Sequence, residues 1–225
     1  MNKLLAFKYL FGPKYKKSYS QAGEDLIIGR LLKTIDISKA FYVDIGAYDP
    51  IRMSNTYSFY LNGGHGILVE PDHALCAKSR RKRPRDTVIE AGIGLERGTR
   101  TFYEFKEKTL STFSEEDAEV AKKRGCPMIG TREVKVMTFA DVIAENKVTN
   151  IDVLSIDVEG LDLEILKSID YEKIHPKIIC TETKRYDQDI PGDKTEAASF
   201  LKGKGYMLIY SLVNSIFVDP RTWKK

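Results

Sequence analysis

Short apolar runs alternate with amphipathic helical patterns along most of the chain. Runs rich in apolar and β-branched residues are typical of buried strands, and they cover residues 41–45, 66–70, 87–91, 151–156 and 177–183. Helical patterns cover residues 54–62, 72–83, 114–124, 138–145, 161–169 and 194–204. Strands that alternate with helices predict an α/β fold, in which a mostly parallel sheet is covered on both faces.

The C-terminal pattern differs, because two strand-like segments lie too close together for a helical crossover. Only Val213 and Asn214 separate residues 206–212 from residues 215–218, which predicts a tight turn and an antiparallel pair. Two more strand-like segments, 100–105 and 132–137, flank a polar helix. The whole pattern predicts a Rossmann-like, doubly wound sheet with an antiparallel C-terminal hairpin, as in class I methyltransferases. This pattern does not exclude a dehydrogenase.

Composition limits the architecture. The chain has 225 residues, of which 42% are hydrophobic and 30% charged, so one domain of ordinary size is expected. We place it at residues 18–220, after a basic and apolar N-terminal extension over residues 1–17. No apolar run reaches the roughly 20 residues of a membrane span. Three widely spaced cysteines predict neither a disulfide scaffold nor a zinc ribbon. No export signal is recognised, so a cytoplasmic location is expected.

Ligands of open α/β sheets bind at the carboxyl ends of the strands. The first strand ends in Asp44, followed two residues later by Gly46, which allows a sharp turn. Glu70 ends the second strand, 24 residues after Gly46, a spacing that suits an acid bound to ribose hydroxyls. Ala91 and Gly92, after the third strand, leave room for an adenine ring.

The turn after the first strand separates the candidate cofactors. A dinucleotide needs the pattern G-x-G-x-x-G, whereas Gly46 is followed here by Ala47 and Tyr48. An adenosine ligand without phosphates therefore fits better, and S-adenosylmethionine is such a ligand. The simpler interpretation is that Asp44 and Gly46 merely end a strand.

Acids follow the fourth and fifth strands. Asp157 and Glu159 come after residues 151–156, and Glu182 ends the next strand. As helix caps they would accept backbone N–H groups. As catalytic residues they would hold or deprotonate a hydroxyl of the substrate. Three acids on one rim could also bind a divalent metal, which we do not favour.

Six motifs in order resemble the FkbM family of S-adenosylmethionine-dependent methyltransferases, over roughly residues 18–218. They are Ser-Gln-Ala-Gly-Glu-Asp at 20–25, Val-Asp-Ile-Gly-Ala at 43–47, Ser-Asn-Thr at 54–56, Val-Glu-Pro at 69–71, Ser-Thr-Phe at 111–113 and Asp-Val-Glu-Gly at 157–160. The resemblance implies a class I methyltransferase fold and methyl transfer to a hydroxyl. The acceptor would be a sugar in a glycan, a glycolipid or a glycosylated natural product.

The resemblance also assigns roles to residues. Asp44, Gly46 and Ala47 should line the methionine end of the cofactor, with Ser54 and Asn55 near its carboxylate. Glu70 should hold the ribose, and Gln21 and Glu24 should cover the site. The full cofactor set is Gln21, Asp44, Gly46, Ala47, Tyr48, Ser54, Asn55, Glu70, Pro71, Ala91, Gly92 and Asp157, and the catalytic set is Asp157, Glu159 and Glu182. Asp162 departs from the family, which often has a glutamate there.

Charge and the termini indicate the partners. The net charge of +4 does not favour nucleic acid. The family resemblance implies a glycan or small-molecule hydroxyl acceptor. The basic run 78–85 is interpreted as a solvated helix end, with an anion-binding patch as the alternative. Residues 1–17 would pack on the domain or a second subunit, or contact the inner face of a membrane. Two other functions stay open: a non-catalytic nucleoside- or glycan-binding domain and a nicotinamide-dependent oxidoreductase.

Overall fold

The computed structural model of the chain describes residues 17–158, 160–183 and 192–223. The strands of that part, in chain order, are β1 (Phe41–Ile45), β2 (His65–Glu70), β3 (Thr87–Glu90), β4 (Gly92–Ile93), β5 (Gly98–Phe105), β6 (Met128–Met137), β7 (Val153–Ile156), β8 (Ile178–Glu182), β9 (Met207–Ser211) and β10 (Asn214–Val218). Their positions agree with the strand-like segments of the sequence to within four residues at each end. The exception is β4, which was not predicted as a separate strand.

Seven strands form the central sheet in the order β3-β2-β1-β7-β8-β10-β9. The first five of these run parallel, and β10 runs antiparallel to both β8 and β9. The predicted doubly wound, mostly parallel sheet with an antiparallel C-terminal hairpin is therefore confirmed. Chain order reverses between β1 and β7, and their carboxyl ends flank the crevice where such sheets bind ligands.

A second sheet has the order β4-β6-β5, with β5 and β6 antiparallel. It contains the two extra strands that the sequence predicts at residues 100–105 and 132–137. The guanidinium of Arg132 on β6 donates to the carbonyl of Pro71, and Lys108 forms a 2.7 Å ion pair with Asp72. The small sheet is thereby tied to the carboxyl end of β2.

Seven α-helices are present in the described residues: α1 (Glu24–Thr34), α2 (Tyr57–Leu61), α3 (His73–Lys82), α4 (Glu115–Lys123), α5 (Phe139–Glu145), α6 (Asp162–Ser168) and α7 (Glu196–Gly203). Asp72, Ser114, Thr138 and Thr195 cap four of them through side-chain oxygens. The predicted helix 54–62 begins at Tyr57, with Thr56 as its N-cap residue, and the Ser54 hydroxyl accepts the Tyr57 N–H, a first-turn donor that has no partner within the helix. None of these helices is long and apolar enough to cross a membrane.

Apolar side chains cover both faces of the central sheet. Helices α5, α6 and α7 pack on one face through residues such as Val142, Ile165 and Leu201. Helices α1 and α2 pack on the other face, where Ile28 and Phe59 meet the strands. Because side chains alternate along a strand, polar residues at strand ends are directed to a defined face.

One prediction for the basic run at residues 78–85 is corrected. Arg80, Arg81, Lys82 and Arg85 are exposed, as expected of a solvated helix end. Arg83 is instead completely buried, and its guanidinium lies within 6 Å of the ring centres of Tyr42, Tyr57 and Tyr60. Residues 1–16 of the predicted N-terminal extension lie outside the described residues, so their membrane or subunit contact stays a prediction.

Candidate active site

The loops after β1 and β7 touch at Gly46. This residue has φ 75°, and a Cβ there would overlap the carbonyl oxygen of Asp157. The Asp157 N–H also donates to the Ile45 carbonyl at 3.0 Å. Glycine is thus required at this position for the backbone to turn and for the second loop to approach. The contact brings the acid that follows β7 to the end of β1.

Glu70 is fixed at the end of β2 by the neighbouring backbone. One carboxylate oxygen accepts the Tyr48 N–H and the other accepts the Asp72 N–H, each at 2.8 Å. A carboxylate has about four acceptor positions, so both oxygens can accept further hydrogen bonds. Burial is the largest influence on Glu70 and raises its pKa to about 7. Tyr48 has φ 49°, a conformation that few non-glycine residues adopt.

Backbone donors in this turn are already used. The N–H groups of Gly46 and Ala47 both donate to the Val69 carbonyl, at 2.9 and 3.1 Å. In a phosphate-binding loop such groups would point at the ligand instead. The turn therefore does not form a phosphate site, which agrees with the absence of G-x-G-x-x-G.

Ser54 and Asn55 face the protein interior. The Ser54 hydroxyl is engaged with the backbone of Tyr57 and with Arg83. The Asn55 amide donates to the Ser155 hydroxyl at 3.2 Å. Ser54 is linked through Arg83 and Thr56 to the buried Asp44 of β1, and Asn55 is linked to Ser155, which lies opposite Asp44. Their predicted contact with the cofactor carboxylate stays a prediction, and the structure gives their side chains a role in holding the loop.

The Phe113 ring packs against Gly92, one of the two residues that the sequence predicts to lie beside the adenine ring. Ala91 is fully buried, and a Cβ on Gly92 would lie 2.5 Å from the Phe113 ring. Backbone hydrogen bonds between Tyr103 and Thr112 hold the Phe113 segment against β5. The ring also packs on Phe102 at 4.8 Å between centres. Sequence reasoning gave Phe113 no role, although the Ser-Thr-Phe motif marked it.

Three acids lie near the carboxyl ends of β7 and β8. Asp157 follows β7, Glu182 is the last residue of β8, and Asp162 begins α6. Asp162 is 5% exposed, and its Oδ2 has no hydrogen-bond partner among the described residues. Burial, followed by the charges of Asp157 and Glu182, raises its pKa to about 8. Glu159, the other predicted catalytic acid, lies outside the described residues.

The start of α1 and the segment before it contain one buried and one exposed residue of the predicted site. Gln21, a predicted cofactor residue, is exposed. Glu24 is fully buried; one of its oxygens accepts the Ala22 N–H at 2.8 Å, and Oε1 has no partner among the described residues. Within the described chain no group of three or more His, Cys, Asp or Glu side chains is arranged to hold a metal ion.

The model of the methyltransferase FkbM domain matches residues 44–208, which is most of the chain. The chain belongs to the FkbM methyltransferase family. Among curated proteins, none matches it. Solved structures with a similar fold include a TehB-like S-adenosylmethionine-dependent methyltransferase from Corynebacterium glutamicum, at 11% identity and TM-score 0.45, covering 96% of this chain and 94% of that one. Another is an O-methyltransferase from Bacillus cereus in complex with S-adenosylhomocysteine, at 11% identity and TM-score 0.44, covering 96% and 88%.

The cofactor of FkbM methyltransferases is S-adenosylmethionine, and the residues of this chain fit it. The molecule carries hydroxyl and ammonium donors and no phosphate. Glu70 has acceptor capacity left for ribose hydroxyls, and the buried Glu24 Oε1 is an acceptor without a partner in the described structure. The turn at Gly46 offers no phosphate site. Glu70 and the loop at residues 44–48 would therefore hold the cofactor.

Asp162 should make folding stability depend on pH. Its native pKa of about 8 exceeds that of an unfolded aspartate, so the native state keeps a proton that the unfolded chain releases. This contribution is fully present below about pH 4 and is lost as the pH rises to about 8. We expect Asp162→Asn to remove much of the loss, so that its melting temperature exceeds that of the wild type by a few degrees at pH 8 and by less at pH 5.

Calorimetry at several pH values between 5 and 8 measures this effect. Glu70 also makes stability fall as the pH rises, since its pKa is raised as well. The melting temperature of Asp162→Asn should therefore still fall with pH, but less steeply than that of the wild type. If the melting temperatures of the wild type and Asp162→Asn differed by the same amount at every pH, Asp162 would be ionised throughout this range.

Proposed function

We propose that this FkbM methyltransferase is an O-methyltransferase that acts on a hydroxyl of a sugar. The sugar would belong to a glycan, a glycolipid or a glycosylated natural product. The observation that supports this proposal best is the contact between the loops at Gly46 and Asp157, because it puts an acid beside the predicted cofactor loop. A hydroxyl bound there would have a base within reach.

The chemistry required of the protein is small. S-adenosylmethionine, when bound, supplies an electrophilic methyl group on a sulfonium. The protein must hold the acceptor hydroxyl in line with that methyl group, at roughly 3 Å. As the oxygen–carbon bond forms and the carbon–sulfur bond breaks, the hydroxyl proton must leave. In the proposal Asp157 accepts this proton.

The arrangement of acids supports a polyhydroxyl acceptor. Asp157 and Glu182 end neighbouring parallel strands, β7 and β8, so their backbones are adjacent at the same edge of the sheet. Two carboxylates on adjacent strands can accept hydrogen bonds from neighbouring hydroxyls of one sugar. Such bonds to a charged acceptor are stronger than bonds between neutral groups. Glu159 is proposed as a further contact on the sequence resemblance alone.

Methyl transfer from isotopically labelled S-adenosylmethionine to a panel of acceptors tests the proposal. The panel should contain glycosides, sugar nucleotides and lipid-linked glycans, with catechols, carboxylic acids and amines as comparators. We expect label in a base-stable ether of a sugar. Label found only in an amine or a carboxylic acid would contradict O-methylation of a sugar, and cofactor binding without transfer to any acceptor would favour a binding domain.

A further inference from the structure

Arg83 lies at the end of α3 and is the largest completely buried side chain of the described chain. Its guanidinium donates to Asp86 at 2.6 Å, to the Ser54 hydroxyl at 3.3 Å and to the Thr56 hydroxyl at 3.0 Å. A buried arginine is costly unless it is paired and its donors are satisfied. Asp86 neutralises the charge, and the remaining donors point at the loop that precedes α2.

Thr56 connects Arg83 to the candidate cofactor site. Its hydroxyl donates to the Asp44 carboxylate at 2.6 Å and accepts from Arg83 on its other side. A hydroxyl has one proton, so accepting from arginine leaves that proton for Asp44. The direction of both hydrogen bonds is therefore fixed, and it requires Asp44 to be the acceptor.

A second hydroxyl repeats the arrangement on Asp44. Ser155, which lies opposite Asp44 on β7, also hydrogen-bonds the carboxylate, and its own oxygen accepts from the Asn55 amide. Burial raises the pKa of Asp44, whereas the Thr56 hydrogen bond, the charge of Arg83 and the Ser155 hydrogen bond lower it. Both hydroxyls thus favour the charged carboxylate against its burial.

Acidic groups also lie near Asp44, and a negative charge nearby raises the pKa of its carboxyl. Asp86 is close enough to raise its pKa, and Asp44 in turn raises the pKa of Glu70 on β2. Glu24 of α1 and Asp157 after β7 belong to the same group of acids, since each of them, like Asp44, raises the pKa of the Cys180 thiol. Arg83 is the cation that faces this group of acids from the α3 side. The pKa of Asp44 is raised overall even with this cation present, because burial is the largest influence, so loss of the Arg83 charge would raise it further.

We propose that Arg83 is a positioning residue of the cofactor site, which acts through Thr56 to hold Asp44 charged and hydrogen-bonded. This inference rests on the proposed function, because Asp44 is expected to line the methionine end of the cofactor. That end carries an ammonium and a sulfonium, and a negative carboxylate nearby favours such a ligand. The neutral form of Asp44 would lose this attraction.

The variant Thr56→Val tests the relay, because valine keeps the branched shape and removes only the hydroxyl. Thr56→Ser restores the hydroxyl and serves as the conservative variant. Thr195→Val is the control for loss of a buried hydroxyl, since Thr195 caps α7 on the opposite face of the sheet. Each full-length protein is studied by carbon-13 NMR titration of the Asp44 carboxyl without ligand and by calorimetric titration with S-adenosylmethionine from pH 5.5 to 8.5.

We expect the Asp44 midpoint to lie measurably higher in Thr56→Val than in the wild type, and to return towards the wild-type value in Thr56→Ser. Affinity for S-adenosylmethionine should fall roughly tenfold at pH 7 in Thr56→Val, and the deficit should narrow as the pH rises. Thr195→Val should lower the melting temperature without changing the affinity.

Coincident Asp44 titrations in the wild type and Thr56→Val would overturn the relay. An equal loss of affinity in Thr195→Val would also overturn it, because general destabilisation would then explain the result. Failure of the wild type to bind S-adenosylmethionine at any pH would instead contradict the proposed function, and the NMR titration would still decide whether Thr56, the link between Arg83 and Asp44, acts on Asp44.

Discussion

Replacing Asp157 with asparagine is expected to reduce turnover by roughly 10²–10⁴-fold while leaving the affinity for S-adenosylmethionine close to that of the wild type. Asparagine has nearly the shape of aspartate but cannot accept the hydroxyl proton. The backbone contacts of Asp157 with Ile45 and Gly46 do not need the carboxylate, so the loop should keep its place. Single-turnover rates and calorimetric titration of the same protein separate the two effects.

Two further variants make the Asp157 result specific. Glu182→Gln tests the second predicted catalytic acid, which ends the neighbouring strand. Asp170→Asn is a surface control, because this aspartate is about half exposed, and its described partners are Lys173 and the N–H of Glu172, neither of which belongs to the predicted site. Normal turnover in Asp157→Asn would reject Asp157 as the base. If Glu182→Gln then lost activity, the base would be Glu182.

Replacing Glu70 with glutamine should weaken S-adenosylmethionine binding by roughly 10- to 100-fold. Glu70 accepts two backbone N–H groups, and only a carboxylate can do this while offering both oxygens to ribose hydroxyls. Since burial raises its pKa to about 7, the carboxyl is largely protonated at pH 6. The affinity of the wild type should therefore rise with pH through about 7 and then level off, and this step should vanish in the variant.

Glu90→Gln is the matched control for Glu70. Glu90 lies opposite Glu70 in the register of β2 and β3, but its carboxylate pairs with His73 and Arg80 at the surface. We expect its substitution to leave the affinity for S-adenosylmethionine unchanged. Equal affinities in Glu70→Gln and the wild type, at every pH between 6 and 8, would remove Glu70 from the cofactor site.

Much of the sheet could be predicted from the sequence because its strands are continuous apolar runs. β1, β2 and β7 are buried on both faces and therefore show no polar alternation. The hairpin of β9 and β10 could also be predicted, since the short turn excludes a crossover. The exact start of α2 could not, because Ser54 and Thr56 are both residue types that favour the N-cap and the sequence pattern does not choose between them.

The interior of the site was harder to predict, because periodicity shows which segments are buried and not which polar atoms meet. Arg83 belongs to a basic run that resembles a solvated helix end, and only the fold brings it to Thr56 and three tyrosines. Phe113 lies against Gly92 because its segment is hydrogen-bonded to β5 of the second sheet. Contacts of this kind join residues far apart in the chain and leave no local pattern.

Equilibrium binding of S-adenosylmethionine to the chain, measured by isothermal titration calorimetry with NAD as the comparator, tests whether the loops after β1 and β2 bind this cofactor. We expect saturable binding of one S-adenosylmethionine per chain and no measurable binding of NAD, because the N–H groups of the turn at Gly46 donate to the Val69 carbonyl. Binding of NAD, or no binding of S-adenosylmethionine to protein shown to be folded, would contradict this expectation.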